Sequence, residues 1–240
     1  MKSESLTPVA KGGIGGSGEM FDAIAHRYDR LNRILSMGLD QGWRKTTLKK
    51  IGLRDGHKVL DLATGTGDLA MLQANTTSQI VGLDPSANML AVAQEKVDSS
   101  GISDRVKLVL GDAQDLEFPD NHFDRVTIAF GIRNVPDRMQ GLREMVRVLK
   151  PGGMVGILEL NEPERGVLAA GAKLYIRRIV PWIGAILSGS KEYRYLQESI
   201  AAFPNNNDFK EMMRTAGFTK PEAYPLTFGV CTLFVGTKGP

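Results

Sequence analysis

Short apolar runs alternate with longer amphipathic stretches between residues 57 and 160. The apolar runs predict five strands, at 57–62, 79–83, 106–110, 124–130 and 155–160. Apolar residues at helical spacing predict intervening helices at 68–75, 87–99 and 139–149. Regular alternation of this kind is typical of βαβ units, so it predicts an α/β fold with a parallel sheet.

The N-terminal part of the chain has a different pattern. Residues 1–18 are polar and rich in glycine, which predicts a flexible tail. Residues 19–51 have apolar residues at helical spacing and predict a helical cap. The last helix of this cap is expected at 41–50, with Asp40 as its N-cap.

The pattern also changes after the fifth predicted strand. Residues 163–203 predict a helical lid insertion, and 209–216 predict a further helix that Gly217 ends. Two closing strands at 222–226 and 230–237 predict an antiparallel hairpin at the edge of the sheet. We therefore expect one domain over residues 19–240, with a seven-stranded, mostly parallel sheet and helices on both faces.

Composition narrows the class of protein. The 240 residues are 42% hydrophobic and 24% charged, and the net charge of +3 is too dispersed to indicate a nucleic-acid partner. Cys231 is the single cysteine, which excludes an intramolecular disulfide. The three histidines lie far apart, so no metal is predicted. Without an apolar leader or a run of about 18 apolar residues, a cytoplasmic protein is expected.

Glycines and acids stand where the first three predicted strands end. Gly65 and Gly67 follow the first strand, Asp84 ends the second, and Asp112-Ala113 follows the third. The carboxyl ends of parallel strands meet at one edge of a sheet, where open α/β folds bind nucleotides. Each residue alone could be an ordinary turn or helix cap. Together they predict an adenosine site, with the second acid on the ribose hydroxyls and the third near the adenine amino group.

Two cofactor classes compete for this site. Gly65-x-Gly67-x-x-Ala70 fits a loosened dinucleotide fingerprint, which would make the protein an NAD-dependent oxidoreductase. However, Asp61 lies at the strand end before the glycines, where a carboxylate would repel a pyrophosphate. The same carboxylate suits the sulfonium and α-ammonium of S-adenosylmethionine. The acids therefore favour S-adenosylmethionine, with NAD as the alternative.

The segment 60–68, Leu-Asp-Leu-Ala-Thr-Gly-Thr-Gly-Asp, is similar to the first motif of class I methyltransferases. More narrowly, the chain resembles the C-methyltransferases of menaquinone and ubiquinone biosynthesis. The blocks that carry this resemblance are 28–36 with Trp43, 118–124, 130–134, 147–153, 193–200 and 216–218. The chain departs from the family's usual residues at Asp40, at Ala129 and at 159–161.

The resemblance implies a Rossmann-like fold and S-adenosylmethionine as cofactor. By the same resemblance, Thr66, Asp84, Asp112 and Ala113 bind the cofactor, while Asp61, Gly65 and Gly67 shape its pocket. The implied reaction is methylation of a ring carbon of a prenylated quinol, with demethylmenaquinol expected first and a polyprenyl methoxybenzoquinol second. A methyltransferase of another lipophilic ring and a noncatalytic adenosyl-binding partner are the further alternatives.

A ring carbon becomes a strong nucleophile when a neighbouring hydroxyl loses its proton, so the site needs a group that stabilises a phenolate. Arg133 is the first candidate, either directly or by ordering a water, because arginine stays protonated. Asn134 could orient the other ring hydroxyl. Tyr28 is the third catalytic candidate. Tyr28 and Asp29 are expected to fold over the pocket from the N-terminal helices, and residues 193–195 to face the same cavity.

Residues 179–187 form an uncharged apolar run with a tryptophan, preceded by Arg177-Arg178. An apolar face with a basic edge predicts reversible, peripheral contact with the inner membrane surface. A lid helix packed on the sheet and a homodimer contact are the alternatives for the same stretch.

Overall fold

A computed structural model of the chain describes Ala25, Asp29, Asn32–Arg33 and residues 36–161 and 190–240, with only the backbone given for 190–194. The predicted tail, Tyr28, the apolar run 179–187 and most of the predicted lid lie outside the described residues. No helix in the described part of the chain is long and apolar enough to cross a membrane.

The described part of the chain contains a seven-stranded sheet with strand order β3-β2-β1-β4-β5-β7-β6. The first five strands are parallel, and β7 runs antiparallel between β5 and β6. This confirms the mostly parallel sheet and its closing hairpin. The strands are β1 Lys58–Leu62, β2 Gln79–Asp84, β3 Val106–Leu110, β4 Phe123–Ala129, β5 Leu149–Leu160, β6 Phe218–Leu226 and β7 Cys231–Lys238.

Helices cover both faces of the sheet, as predicted. Ile157 of β5 belongs to a core with the helices after β4 and before β6, whereas its neighbour Leu158 packs with Trp43 on the opposite face. Successive strand residues point to opposite faces, so both faces of the central strands are buried. The helices are α1 Leu39–Lys50, α2 Asp68–Gln73, α3 Ala87–Ser99, α4 Arg138–Val148, α5 Ser190–Ala201 and α6 Asn206–Ala216.

Two helix starts follow the expected capping chemistry. The Ser86 hydroxyl accepts a hydrogen bond from Met89 N at 3.0 Å and caps α3. The Asn205 side chain accepts from the first backbone N–H groups of α6, and Gly217 ends that helix with a left-handed φ of +114°. These caps depend on neighbours in sequence, so local patterns predict them well.

The prediction that Asp40 caps a helix at 41–50 is wrong. The helix begins at Leu39, after Gly38 in a left-handed conformation, and Gly38 provides no side-chain cap. The Asp40 carboxylate is instead buried, where it pairs with Arg33 and accepts from the Ser36 hydroxyl at 3.0 Å. Charge-assisted hydrogen bonds with these partners satisfy the buried carboxylate in place of the backbone N–H groups of the helix end.

The fifth strand begins earlier than the predicted 155, because the irregular β5 includes residues 149–154. Leu149 pairs with Phe123 of β4, but the next pairs are Arg125 with Met154, so the register shifts between them. Gly152 in this stretch has a φ of +75°. The helix nevertheless ends at Val148, close to its predicted end.

Candidate active site

The turn after β1 is fixed to the end of β2 by its own backbone. Ala63, Gly65 and Gly67 have φ values of +47°, +57° and +83°, a left-handed conformation that glycine adopts without strain. Thr64 N donates to the carbonyl of Leu83 at 3.0 Å. A side chain at Gly67 would place its Cβ 3.2 Å from the Cβ of Ala93 on α3, so this turn also requires a small residue.

Asp84 at the end of β2 is buried and held from both sides. One carboxylate oxygen accepts from Gly65 N at 2.8 Å, and the other accepts from Ser86 N at 2.9 Å. These two backbone groups orient the carboxylate at the end of β2, where the sequence predicts the ribose.

The end of β3 continues this edge of the sheet. Gly111 N donates to the carbonyl of Asp84 at 3.1 Å, which ties the two strand ends together. Asp112 accepts from the backbone N–H of Gln114 at 2.9 Å, and the Gln114 amide contacts both carboxylate oxygens. Ala113 is buried beside it. The residues predicted for adenosine, Asp84, Asp112 and Ala113, are thus brought to neighbouring strand ends.

Asp61 lies beneath the turn and does not open into the site. Only 1% of this residue is exposed, and its carboxylate accepts from the hydroxyls of Thr64 at 2.8 Å and Thr127 at 2.6 Å. Burial raises the pKa of Asp61 to about 6, although the two hydroxyls favour the charged form. Asp61 therefore joins β1, β4 and the glycine turn, whereas the sequence predicted that it faces the cofactor's cationic end.

Thr66 connects the glycine turn to the N-terminal part of the chain. Its hydroxyl is buried and donates to Asp29 Oδ1 at 2.5 Å. The other Asp29 oxygen accepts from Lys96 Nζ of α3 at 2.8 Å. Of the two residues predicted to fold over the pocket, Asp29 therefore reaches the glycine turn, while Tyr28 lies outside the described residues.

The turn after β4 lies against the turn after β1. A Cβ on Gly131 would come within 2.5 Å of the Ala63 Cβ, so only glycine permits this approach. The next residues form a 3-10 turn, Ile132–Asn134. Arg133 and Asn134 are thus placed next to the cofactor edge, on the side of β1 opposite to β2 and β3.

Arg133 is anchored by a residue that the sequence reasoning missed. Its guanidinium pairs with Glu159 of β5, and its backbone N donates to the same carboxylate at 3.3 Å. Glu159 is fully buried and also accepts from Leu160 N at 2.8 Å. The pair fixes the position of Arg133 and balances its charge, so the guanidinium can supply oriented hydrogen bonds rather than a net positive charge.

Asn134 is held by α5. The Tyr195 hydroxyl donates to Asn134 Oδ1 at 3.0 Å, which leaves the amide N–H groups to donate elsewhere. Tyr195 was one of three residues expected at the cavity, and the side chains of the other two lie outside the described residues. The missed partners, Thr64, Thr127 and Glu159, have no spacing signal, because strand pairing brings them to the site.

The strand order gives the site a direction. If adenine binds at β3 and ribose at β2, as the sequence predicts, the remainder of an adenosyl cofactor would extend over β1 towards β4, where Arg133 and Asn134 lie. A Rossmann-like sheet with an oriented acid after β2 and a glycine turn after β1 is the arrangement of an enzyme that binds an adenosine cofactor, and both S-adenosylmethionine and NAD fit it.

The chain belongs to the ubiE/COQ5 methyltransferase family, whose model matches residues 14–238. It is 44% identical to the ubiquinone/menaquinone biosynthesis C-methyltransferase UbiE of Geotalea daltonii, over 92% of this chain and 95% of the relative. It is 40% identical to the demethylmenaquinone methyltransferase of Bacteroides fragilis, over 92% and 91% of the two chains. The family decides the choice of cofactor in favour of S-adenosylmethionine over NAD.

Solved structures of low identity share the fold. A putative S-adenosyl-L-methionine-dependent methyltransferase from Methanococcus maripaludis has a TM-score of 0.68 at 18% identity, covering 98% of both chains. Phosphoethanolamine N-methyltransferase 2 of Haemonchus contortus, solved with S-adenosyl-L-methionine, has a TM-score of 0.68 at 19% identity, covering 97% of this chain and 62% of that one. These likenesses confirm the predicted Rossmann-like methyltransferase architecture.

Proposed function

We propose that this methyltransferase methylates a ring carbon of a prenylated quinol, with demethylmenaquinol as the first substrate and a polyprenyl methoxybenzoquinol as the second. The relatives named for menaquinone and ubiquinone biosynthesis support this substrate class. The observation that carries the proposal is the pairing of Arg133 and Asn134 with buried or helical partners next to the cofactor edge. Two fixed hydrogen-bond donors suit the two oxygens of a quinol ring.

Methyl transfer requires no catalytic residue at the leaving group. When bound, S-adenosylmethionine supplies an electrophilic methyl group and leaves as a neutral thioether, so no general acid is needed. The protein has to hold the ring carbon in line and stabilise negative charge on the neighbouring ring oxygen. The ring carbon must finally lose its hydrogen as a proton, so one proton is released to water for each methyl group transferred.

In our proposal, Arg133 and Asn134 each bind a different oxygen of the quinol ring. Arg133 donates to the ring oxygen that loses its proton, directly or through an ordered water, and Glu159 prevents the guanidinium from moving away. Asn134 donates from its amide N–H groups to the second ring oxygen, because Tyr195 occupies its carbonyl oxygen. Tyr28 is proposed to close the ring pocket from the N-terminal side.

Turnover with labelled S-adenosylmethionine on reduced prenylated naphthoquinol and benzoquinol, side by side, tests the substrate class. We expect label in the naphthoquinol product and a smaller amount in the benzoquinol product. Asn134→Ala should lower both rates while S-adenosylhomocysteine binds as tightly as before. Label transfer to neither quinol, with transfer to another phenol, would contradict the proposed substrate.

We further propose the predicted domain organisation: a flexible tail at 1–18, a helical cap at 19–51 and a helical lid insertion at 163–203 on a single domain. Limited proteolysis with mass spectrometry tests it, because cleavage should begin in the tail and leave 19–240 intact. Early cleavage within β1 to β5 would contradict a single domain.

The prenyl tail of such a substrate needs an apolar route, and we propose that 179–187 touches the inner membrane surface reversibly. Ile183→Lys with Ile186→Lys should reduce sedimentation with anionic liposomes while cofactor affinity is unchanged. If 179–187 is a dimer contact instead, the double variant should sediment with liposomes as the native protein does. Gel filtration should then show a smaller particle for the variant than for the native protein.

A further inference from the structure

Asp29 is a carboxylate that stands directly at the glycine turn. One oxygen accepts from the Thr66 hydroxyl at 2.5 Å, and the other pairs with Lys96 at 2.8 Å. Thr66 is itself almost fully buried in the turn. The hydrogen bond therefore fixes Asp29 to the part of the site that the family motif assigns to the cofactor.

A chain of alternating charges holds Asp29 in this place. Lys96 Nζ also contacts Asp68 at 2.6 Å, and Asp68 in turn contacts Arg33 at 2.9 Å. Arg33 then pairs with the buried Asp40 at the start of α1. Two residues of the N-terminal part, Asp29 and Arg33, are thus tied by charge to α1, α2 and α3, and Lys96 is the link that reaches Asp29.

Asp61 and Asp84, two other acids in contact with the glycine turn, are held by hydrogen bonds from the protein. Asp61 is 1% exposed and its two oxygens receive threonine hydroxyls, so it has no path to a ligand. Asp84 receives two backbone N–H groups and lies at the ribose position after β2. By contrast, 32% of the Asp29 side chain is exposed. Of these three acids, Asp29 is the most exposed to a ligand.

The strand order places Asp29 at the amino-acid end of the cofactor. With adenine past β3 and ribose past β2, as the sequence predicts, the sulfur and the amino-acid portion would extend over the end of β1. Thr66 belongs to the turn that follows β1. A cationic ammonium at that end of the pocket would be poorly stabilised without a reachable carboxylate.

We propose that Asp29 binds the α-ammonium group of S-adenosylmethionine and that Lys96 is a positioning residue for Asp29. The inference depends on the cofactor, which the family gives, and not on the identity of the methyl acceptor. Charge-assisted hydrogen bonds of this kind contribute strongly to binding, because both partners are ionised.

Calorimetry with S-adenosylhomocysteine and with its analogue lacking the α-amino group tests the proposal without an acceptor. Asp29→Asn keeps the size of the side chain and can still accept from Thr66. We expect S-adenosylhomocysteine to bind roughly 10- to 100-fold more weakly to this variant, while the deamino analogue binds as it does to the native protein. Unchanged binding of the analogue shows that the site is intact.

Two further variants give the matched comparisons. Asp98→Asn removes an exposed acid of the same helix as Lys96, and both ligands should bind to it normally. Lys96→Met should weaken S-adenosylhomocysteine by a smaller factor, and Lys96→Arg should restore the affinity. Equal losses for both ligands in Asp29→Asn, or no loss for either, would overturn the role of Asp29. Failure of Lys96→Arg to restore binding would overturn the role of Lys96.

Discussion

The region after β1 to β3 that we propose for adenosine and the region around Arg133 and Asn134 that we propose for the methyl acceptor are built in different ways. We refer to them as the adenosine half and the acceptor half. The adenosine half consists of strand ends and short turns, and Asp84 is oriented by backbone N–H groups from residues 65 and 86. The acceptor half depends on side-chain pairs between separate elements, such as Arg133 with Glu159 and Asn134 with Tyr195. Backbone N–H groups are present whichever residue other than proline occupies a position, whereas a single substitution can remove a side-chain pair, so the acceptor half is the more sensitive to mutation.

The largest effect is expected from breaking the ion pair between Arg133 and Glu159 in the acceptor half. Arg133→Ala leaves the buried Glu159 carboxylate without its guanidinium, which should destabilise the fold by roughly 3–5 kcal/mol and stop turnover. Urea unfolding and labelled turnover measure the two effects. The double variant Arg133→Ala with Glu159→Gln should recover most of the stability but none of the turnover. Methylation by the double variant at the native rate would remove Arg133 from the mechanism.

A smaller effect on stability is expected from Asp61, which is buried beneath the glycine turn, and this effect depends on pH. An unfolded Asp61 loses its proton near 3.8, whereas the folded carboxyl retains it up to about 6. The native state therefore binds the extra proton, so this group's contribution to stability falls as the pH rises from 4 to 6 and is constant above. The loss is about 3 kcal/mol for a shift of this size.

Urea unfolding of the native protein and Asp61→Asn between pH 4 and pH 7 measures this contribution. The variant cannot titrate at this position, and the other carboxyls are common to both proteins. The stability of the native protein relative to the variant should therefore decrease by that amount across the range. A difference that is independent of pH would show that Asp61 is ionised in the fold.

A substitution at the contact between the two halves should affect both moderately. Gly131→Ala forces the turns after β1 and β4 apart, because its Cβ would overlap that of Ala63. We expect a loss of about 1–3 kcal/mol in stability together with reduced turnover. Gly141→Ala is the control. Gly141 lies within α4, and a Cβ there would come no closer than 3.4 Å to a neighbouring residue. Equal stability of the two variants would mean that the halves are not in tight contact.

The adenosine half could be predicted from the sequence because its signals are local. The glycine turn, Asp84 and Asp112-Ala113 are each defined by a few consecutive residues. The partners in the acceptor half were not predictable, because Glu159 reaches Arg133 only through the register of β4 with β5. Asp40 was predicted as a helix cap for its local preference, and an ion pair with Arg33 competed with that preference.

The position of the transferred carbon tests the proposed reaction most directly. The native protein is incubated with S-adenosylmethionine carrying a ¹³C-methyl group and a reduced prenylated naphthoquinol, and the product is examined by NMR. We predict the label as a methyl group on a ring carbon, with no product from the oxidised quinone, because only the quinol can form a phenolate. A label on oxygen, or equal labelling of quinone and quinol, would contradict carbon methylation assisted by Arg133.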